Sequence, residues 1–190
     1  MLTPDQVTAC LVTRGDVDLQ PVLDSLPYPN VIVWGPDRPE HHVYGRYAAI
    51  EEAQTPVIYT QDDDCVFEHH EALLAAYESG MLLAVYGHGP DPDGYQDMAL
   101  VHGGALMDQG LPALAFGRYL EWWPRDEGFL READMINGTL TPHMHIHLPY
   151  TIRMEIAQAP NRMCNQPWQR QLKREITDRA RKVRDMRMAA

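Results

Sequence analysis

Val7 to Thr13 (VTACLVT) is an unbroken apolar, β-branched run that stops at Arg14-Gly15-Asp16, the pattern of a buried strand entering a turn. Leu19, Val22, Leu23 and Leu26 then recur at helical spacing, and Pro27 ends that stripe. Val31 to Trp34 predicts a second short strand, followed by a loop with the sequence GPDRPEHH. Helix formers Ala48, Ala49, Ile50 and Ala53 predict a helix over Arg46 to Gln54, ending near Pro56. Val57 to Thr60 is a third strand that runs straight into Gln61-Asp62-Asp63-Asp64. The order β-α-β-α-β with short connections favours parallel strands with helices packed on the sheet.

The second half is less regular. His70, Leu73, Leu74 and Tyr77 predict a helix closed by Gly80, and Met81 to Tyr86 a strand. GHGPDPDGYQD reads as a loop, and Ala99 to His102 as a strand ended by Gly103-Gly104. Helices are expected from about Pro112 to Trp123 and from Glu127 to Ile136, the latter closed near Gly138. Leu140 to Tyr150 is strand-like, and Ala157 to Pro167 a polar loop. Trp168, Leu172, Ile176, Ala180 and Val183 recur every three or four residues among basic ones, which makes the tail an amphipathic helix. The expected architecture is a single α/β domain over 1–167, with a Rossmann-like mixed sheet flanked by helices, and a basic helix over 168–190.

Composition narrows the class. At 190 residues, 45% hydrophobic and 23% charged, the chain has the make-up of one globular core. Its richest apolar stretch, Ala72 to Tyr86, is broken by Glu78-Ser79-Gly80, so no membrane span is expected. The first residues lack a basic flank ahead of an apolar run, and Cys10, Cys65 and Cys164 form no even framework; both point to a cytoplasmic protein. From Trp168 onward there are eight Lys/Arg against Glu175, Asp178 and Asp185, whereas the rest holds eight Arg, 24 acids and no lysine. That excludes a P-loop lysine, and no GxGxxG occurs either. A region this acidic repels nucleotides unless a metal ion intervenes.

Asp62-Asp63-Asp64 is the strongest chemical signal. Three carboxylates at the carboxyl end of a strand raise one another's pKa unless they share a cation, and hard oxygen ligands favour Mg²⁺ or Mn²⁺. The competing interpretation is an exposed acidic turn that caps the helix beginning near Glu68. Its place at a strand end in a β-α-β-α-β unit, where open α/β sheets bind ligands, favours function. His143, His145 and His147 alternate with apolar residues, so on a strand the three imidazoles share one face, either as metal ligands or as a polar rim. Trp122-Trp123 offers either a sugar-stacking platform or core packing.

The stretch GRYAAIEEAQTPVIYTQDDDCVF resembles the nucleotide-sugar-binding half of GT-A-fold glycosyltransferases, in particular exostosin-type and small phage-encoded enzymes. In order along the chain, LVTRGD is similar to their first strand and following Arg, VIVWG to the second strand, HGGAL to the acceptor-side segment, READMIN to a short acidic motif and APNRM to a C-terminal lid. The resemblance covers about residues 7 to 167. READMIN departs from the usual adjacent acidic pair, because Ala133 separates Glu132 from Asp134.

The resemblance implies a nucleotide-diphosphate-sugar donor and a divalent metal. Asp64 would ligate the metal bridging the diphosphate, with Asp62 and His145 as further ligands. Asp62 and Asp63 would also contact ribose or sugar, Arg14 and Arg46 would hold base or phosphates, and Arg162 would close over the diphosphate. Asp134, or else Glu132, would be the catalytic carboxylate. An acceptor on modified phage DNA or on a protein is compatible with such an enzyme. A metal-dependent nucleotidyl or phosphoryl transferase, or a non-catalytic nucleotide-sugar-binding module, are the rival functions. For the basic tail, docking on the acidic core competes with binding a partner, an anionic acceptor or a membrane surface.

Overall fold

The computed structural model describes residues 1–86, 97–160, 162 and 165–188. In chain order its strands and helices are β1 (Val7–Val12), α1 (Gln20–Ser25), β2 (Asn30–Trp34), α2 (Gly45–Ala48), β3 (Val57–Thr60), β4 (Cys65–Val66), α3 (His70–Ala76), β5 (Leu82–Tyr86), β6 (Ala105–Asp108), α4 (Leu111–Leu120), α5 (Glu127–Arg131), α6 (Ala133–Leu140), β7 (His143–His147), β8 (Thr151–Ile152), α7 (Met154–Ala157) and α8 (Gln169–Met188). Six strands form one mixed sheet in the order β2-β1-β3-β6-β5-β7. β1 pairs in parallel with β2 (Val12 opposite Trp34) and with β3 (Thr8 opposite Ile58). β6 runs antiparallel between β3 and β5, and β7 pairs in parallel with β5 (Ala84 opposite His145).

Period-2 alternation divides the core between the two faces of the sheet. Cys10, Ile58, Leu82, Ala84 and Met107 face one side with Tyr47, Phe116, Phe129 and Ile136. Ala9, Tyr59, Leu83, Val85 and Leu106 face the other with Tyr28, Leu73 and Leu74. Ile176, Ala180 and Val183 of α8 lie fully within the first of these layers, so the tail belongs to the single fold. Charge assists the docking: Arg181 and Arg184 both pair with Asp97, and Arg179 with Asp126.

Several expected elements differ in the structure. Ala99 to His102 is not a strand; the Ala99 amide donates to the Gly138 carbonyl of α6 at 3.0 Å, and the strand forms only after the glycine pair, as β6. The helix expected over Glu127 to Ile136 breaks at Glu132 into α5 and α6, and α6 continues through Gly138 to Leu140. A Cβ on Gly138 would lie 1.9 Å from the Ala99 carbonyl oxygen, so the glycine serves close packing rather than termination. The helix expected over Arg46 to Gln54 is α-helical only to Ala48 and then tightens to a 3₁₀ turn, Ala49–Glu52. The short ribbon of β4 with β8 was not predicted. The loop expected over GHGPDPDGYQD falls mostly on residues 87–96, outside the described residues.

Candidate functional site

From β1 the chain moves to β2 on one side and later to β3 on the other, so the strand order reverses between β1 and β3. In open α/β sheets ligands bind at such a point, beyond the carboxyl ends of the strands. Here those ends carry Thr13-Arg14 and Gln61-Asp62-Asp63-Asp64. At Gly15 the backbone takes φ +77°, and a Cβ there would lie 2.6 Å from the Pro36 ring, so glycine lets the turn after β1 close against the turn after β2.

The aspartate turn is pinned from beneath and from both flanks. Buried Gln61 accepts the Tyr59 hydroxyl and donates to the Cys65 carbonyl at 2.7 Å. The Asp62 amide donates to the His102 carbonyl at 3.0 Å, and the Arg153 amide to the Asp64 carbonyl at 2.7 Å. These bonds fix the backbone and leave the three carboxylates to be placed by their partners.

Two arginines do so. Arg46 of α2, buried at 2% exposure, donates to Asp62 and to the Thr60 hydroxyl, while its Nε lies 3.7 Å from Asp134 Oδ1. Asp134 also accepts the Tyr47 hydroxyl at 2.7 Å, and Asn137 in turn donates to that hydroxyl at 3.4 Å. Arg162 forks Asp63, with Nη1 at 3.4 Å from Oδ2 and Nη2 on Oδ1, and the same Nη2 lies 3.6 Å from Asp64 Oδ2.

The titration of these groups follows. Burial pushes the Asp62 carboxyl up, but Arg46 and His102 outweigh it and hold the group below the ordinary range. Burial and the neighbouring Asp62 raise Asp64 against the opposing pull of Arg162. Burial raises Asp134 as well, with Arg46 opposing and Asp62 reinforcing.

A cleft of about 660 Å³ opens over these residues. Arg14, Arg38, Arg46, Arg131 and Arg162 line it against Glu40, Asp62, Asp63 and Asp64. Five of the eight arginines outside the basic tail therefore converge on one cavity, which is locally richer in cations than the strongly acidic composition suggests. Its wall after β2 is Trp34, with the Arg38 guanidinium 5.0 Å above the ring and His41 stacked at 5.4 Å. Across from it the Arg131 guanidinium lies 4.9 Å over Trp168, at the head of α8.

Of the residues singled out from sequence, the structure brings Arg14, Arg46, Asp62, Asp63, Asp64 and Arg162 to the cleft. Arg14 pairs with Asp16 at its edge. Asp134 stands behind Arg46 rather than in the cleft lining. Glu132, 3% exposed, is held instead against α8 by Gln169, whose Nε2 donates to its Oε1 at 3.2 Å. His145 is not gathered with the aspartates: it lies on the edge strand β7, three strands from β3, and its Nε2 is 3.2 Å from the Met98 carbonyl. Trp122 and Trp123 are outside the cleft lining. Of the lid motif APNRM, Asn161 and Met163 fall outside the described residues.

Arg38, Arg131, Trp168, Tyr47 and His102 were not singled out as site residues. Tyr47 had a local signal as the partner of Arg46 in the Arg-Tyr pair, His102 and Arg131 as the first residues of HGGAL and READMIN, and Trp168 as the first residue of the tail's apolar stripe. None of these signals pointed to the cleft, which Arg38, Arg131 and Trp168 reach through tertiary packing.

Among the described residues no group of three or more His, Cys, Asp or Glu side chains is gathered to hold a metal ion. Asp62 and Asp63 are drawn toward different arginines, which rules out a closed cage of protein ligands in this arrangement. The donor chemistry fits a different kind of site. Magnesium-like ions commonly take one or two carboxylates and complete their shell with water and substrate phosphate, and Asp64, raised by burial and then by its acidic neighbour Asp62, is a carboxylate that a cation would relieve.

No family model matches the chain, and no curated protein matches it. Among solved structures, the 4-diphosphocytidyl-2C-methyl-D-erythritol synthase from Anaerococcus prevotii DSM 20548 is similar over 76% of this chain and 90% of its own, at 12% identity and a TM-score of 0.47. A second, A197 from STIV, is similar over 74% of this chain and 81% of its own, at 12% identity and a TM-score of 0.44. Likeness at this level carries no statement about activity. Among the described residues no helix is long and apolar enough to cross a membrane.

Proposed function

We propose that the chain is a glycosyltransferase that moves a sugar from a nucleotide-diphosphate sugar to an acceptor hydroxyl. The observation that carries this reading is the convergence of five arginines and three consecutive aspartates on one cleft at the point where the strand order reverses. Arginine forks match phosphate oxygens. A divalent ion, Mn²⁺ or Mg²⁺, would be held by Asp64 with help from Asp62 or Asp63, and would supply charge neutralisation for the leaving diphosphate.

The chain's own residues do the rest. Arg46 ties Asp62 on the donor side to Asp134 behind it, so the two carboxylates keep a fixed separation. Asp134 lies behind Arg46 and outside the cleft lining, and its Tyr47 and Arg46 contacts both fall on Oδ1, so in this reading Oδ2 would take a proton from an acceptor hydroxyl, or face developing positive charge, only once substrate reaches past Arg46. Burial raises the Asp134 pKa and so makes its carboxylate a stronger base than an exposed one.

A thermal-shift screen of nucleotide-diphosphate sugars with and without Mn²⁺ tests this reading. A ligand that binds the folded state must raise the melting temperature. One donor should stand out from the free sugars and from nucleotide monophosphates, and no shift with any nucleotide diphosphate would refute it.

A further inference from the structure

Each aspartate of the cluster already has a cation. Arg46 takes Asp62, and a single guanidinium, Arg162, reaches both Asp63 and Asp64. The Arg162 side chain is only 11% exposed and that of Asp63 only 8%, so water screens this contact weakly. A divalent ion bonded to Asp64 Oδ2 would sit beside the same Nη2 that lies 3.6 Å from that oxygen. Two cations so close, in a partly buried site, repel each other strongly.

We propose that Arg162 is the resident counter-cation of this cluster and holds the metal position closed until a diphosphate draws it away. The proposal rests on the donor reading and deepens it. Arg162 and Arg46 differ in this respect. Both line the cavity, but Arg46 is locked between Asp62 and Asp134 from α2 with its side chain 3% exposed, whereas Arg162 reaches the cluster from the segment between α7 and α8, contacts only Asp63 and Asp64, and is the more exposed of the two. A guanidinium fork fits phosphate oxygens as well as it fits a carboxylate, so a diphosphate in the cleft offers Arg162 an equivalent partner. Once it moves, Asp63 and Asp64 lose their cation, and a divalent ion can take its place with phosphate oxygens completing its shell.

Linkage fixes the consequence. If the diphosphate strengthens metal binding by some factor, the metal strengthens diphosphate binding by the same factor. The cleft therefore favours the pair over either ion alone, which keeps free metal from occupying it unproductively.

The test is Mn²⁺ titration of the full chain, read by loss of the free-ion electron paramagnetic resonance signal, with and without saturating UDP. Wild type should bind Mn²⁺ weakly alone and about 10-fold or more tightly with UDP, within the usual range of coupling. Arg162→Gln should bind Mn²⁺ alone more tightly than wild type by about 5-fold or more, and its coupling to UDP should shrink toward unity. Arg162→Lys, which keeps a cation, should retain the weak Mn²⁺ binding of wild type. Unchanged or weaker Mn²⁺ binding by Arg162→Gln would overturn the proposal. UDP failing to bind any of the three proteins would overturn the donor reading, and the effect of Arg162→Gln on Mn²⁺ alone would still decide the role of Arg162.

Discussion

The Nε of Arg46 lies 3.7 Å from Oδ1 of Asp134, across 88 positions of sequence, and joins α2 to α6 beneath the cleft. The same guanidinium donates to Asp62, so one buried cation relates the aspartate cluster to the carboxylate proposed to act on the acceptor.

Breaking that link should be costly. Removing one partner of a buried ion network leaves the others uncompensated, and such losses run to about 3–5 kcal/mol. Arg46→Met should lower the urea midpoint strongly. A midpoint within experimental error of wild type would mean that the network does not support the fold.

Asp134→Asn keeps shape and loses charge. Transfer should fall by about 10²- to 10⁴-fold, the usual worth of general-base help, while donor affinity measured by calorimetry stays near wild type. Glu132→Gln is the paired control, since Glu132 is held under α8, and its transfer rate should change little.

Glu132 should instead be visible in the pH dependence of stability. Burial, with Asp134 adding to it and Lys173 opposing, raises its pKa from 4.5 to about 7. Between those values the folded state binds more protons than the unfolded chain, so this group's contribution is full below pH 4.5 and is lost as pH rises toward 7. Glu132→Gln should remove that slope and raise stability above pH 7 relative to wild type. Denaturation curves at several pH values that show the same slope in both proteins would contradict the assignment.

The basic tail is a core element. Ile176, Ala180 and Val183 are at most 1% exposed, and truncating a buried Ile to Ala typically costs about 2–5 kcal/mol. Ile176→Ala should lower the melting temperature clearly, and truncation after Pro167 should prevent cooperative unfolding by circular dichroism. A truncated chain that still unfolds cooperatively would show that α8 is an appendage.

The elements around the cleft were the most legible part of the sequence. β1 and β2 differ from expectation by one residue at a terminus and β3 matches it, because each is a short apolar run bounded by turn residues. Asp62 to Asp64 were legible for the same reason, as polar residues directly after such a run. Ala99 to His102 misled because Met98, Ala99, Leu100 and Val101 are all buried, and complete burial erases the period that separates a strand from an irregular segment packed against a helix. Arg38 carries no local mark, and the marks on Arg131 and Trp168, in READMIN and in the apolar stripe of the tail, do not point to the cleft. Their role comes from the meeting of the turn after β2, the end of α5 and the head of α8, which only the fold creates.

Whether this cleft holds a nucleotide diphosphate with the aid of a divalent ion is decided by titration calorimetry of UDP and GDP into wild type and Asp64→Asn, each in Mn²⁺ and in EDTA. Wild type should bind at least one nucleotide measurably in Mn²⁺ and about tenfold or more weakly in EDTA, and Asp64→Asn should differ little between the two conditions. Equal affinity of wild type in Mn²⁺ and EDTA, or no binding of either nucleotide, would contradict metal-aided binding.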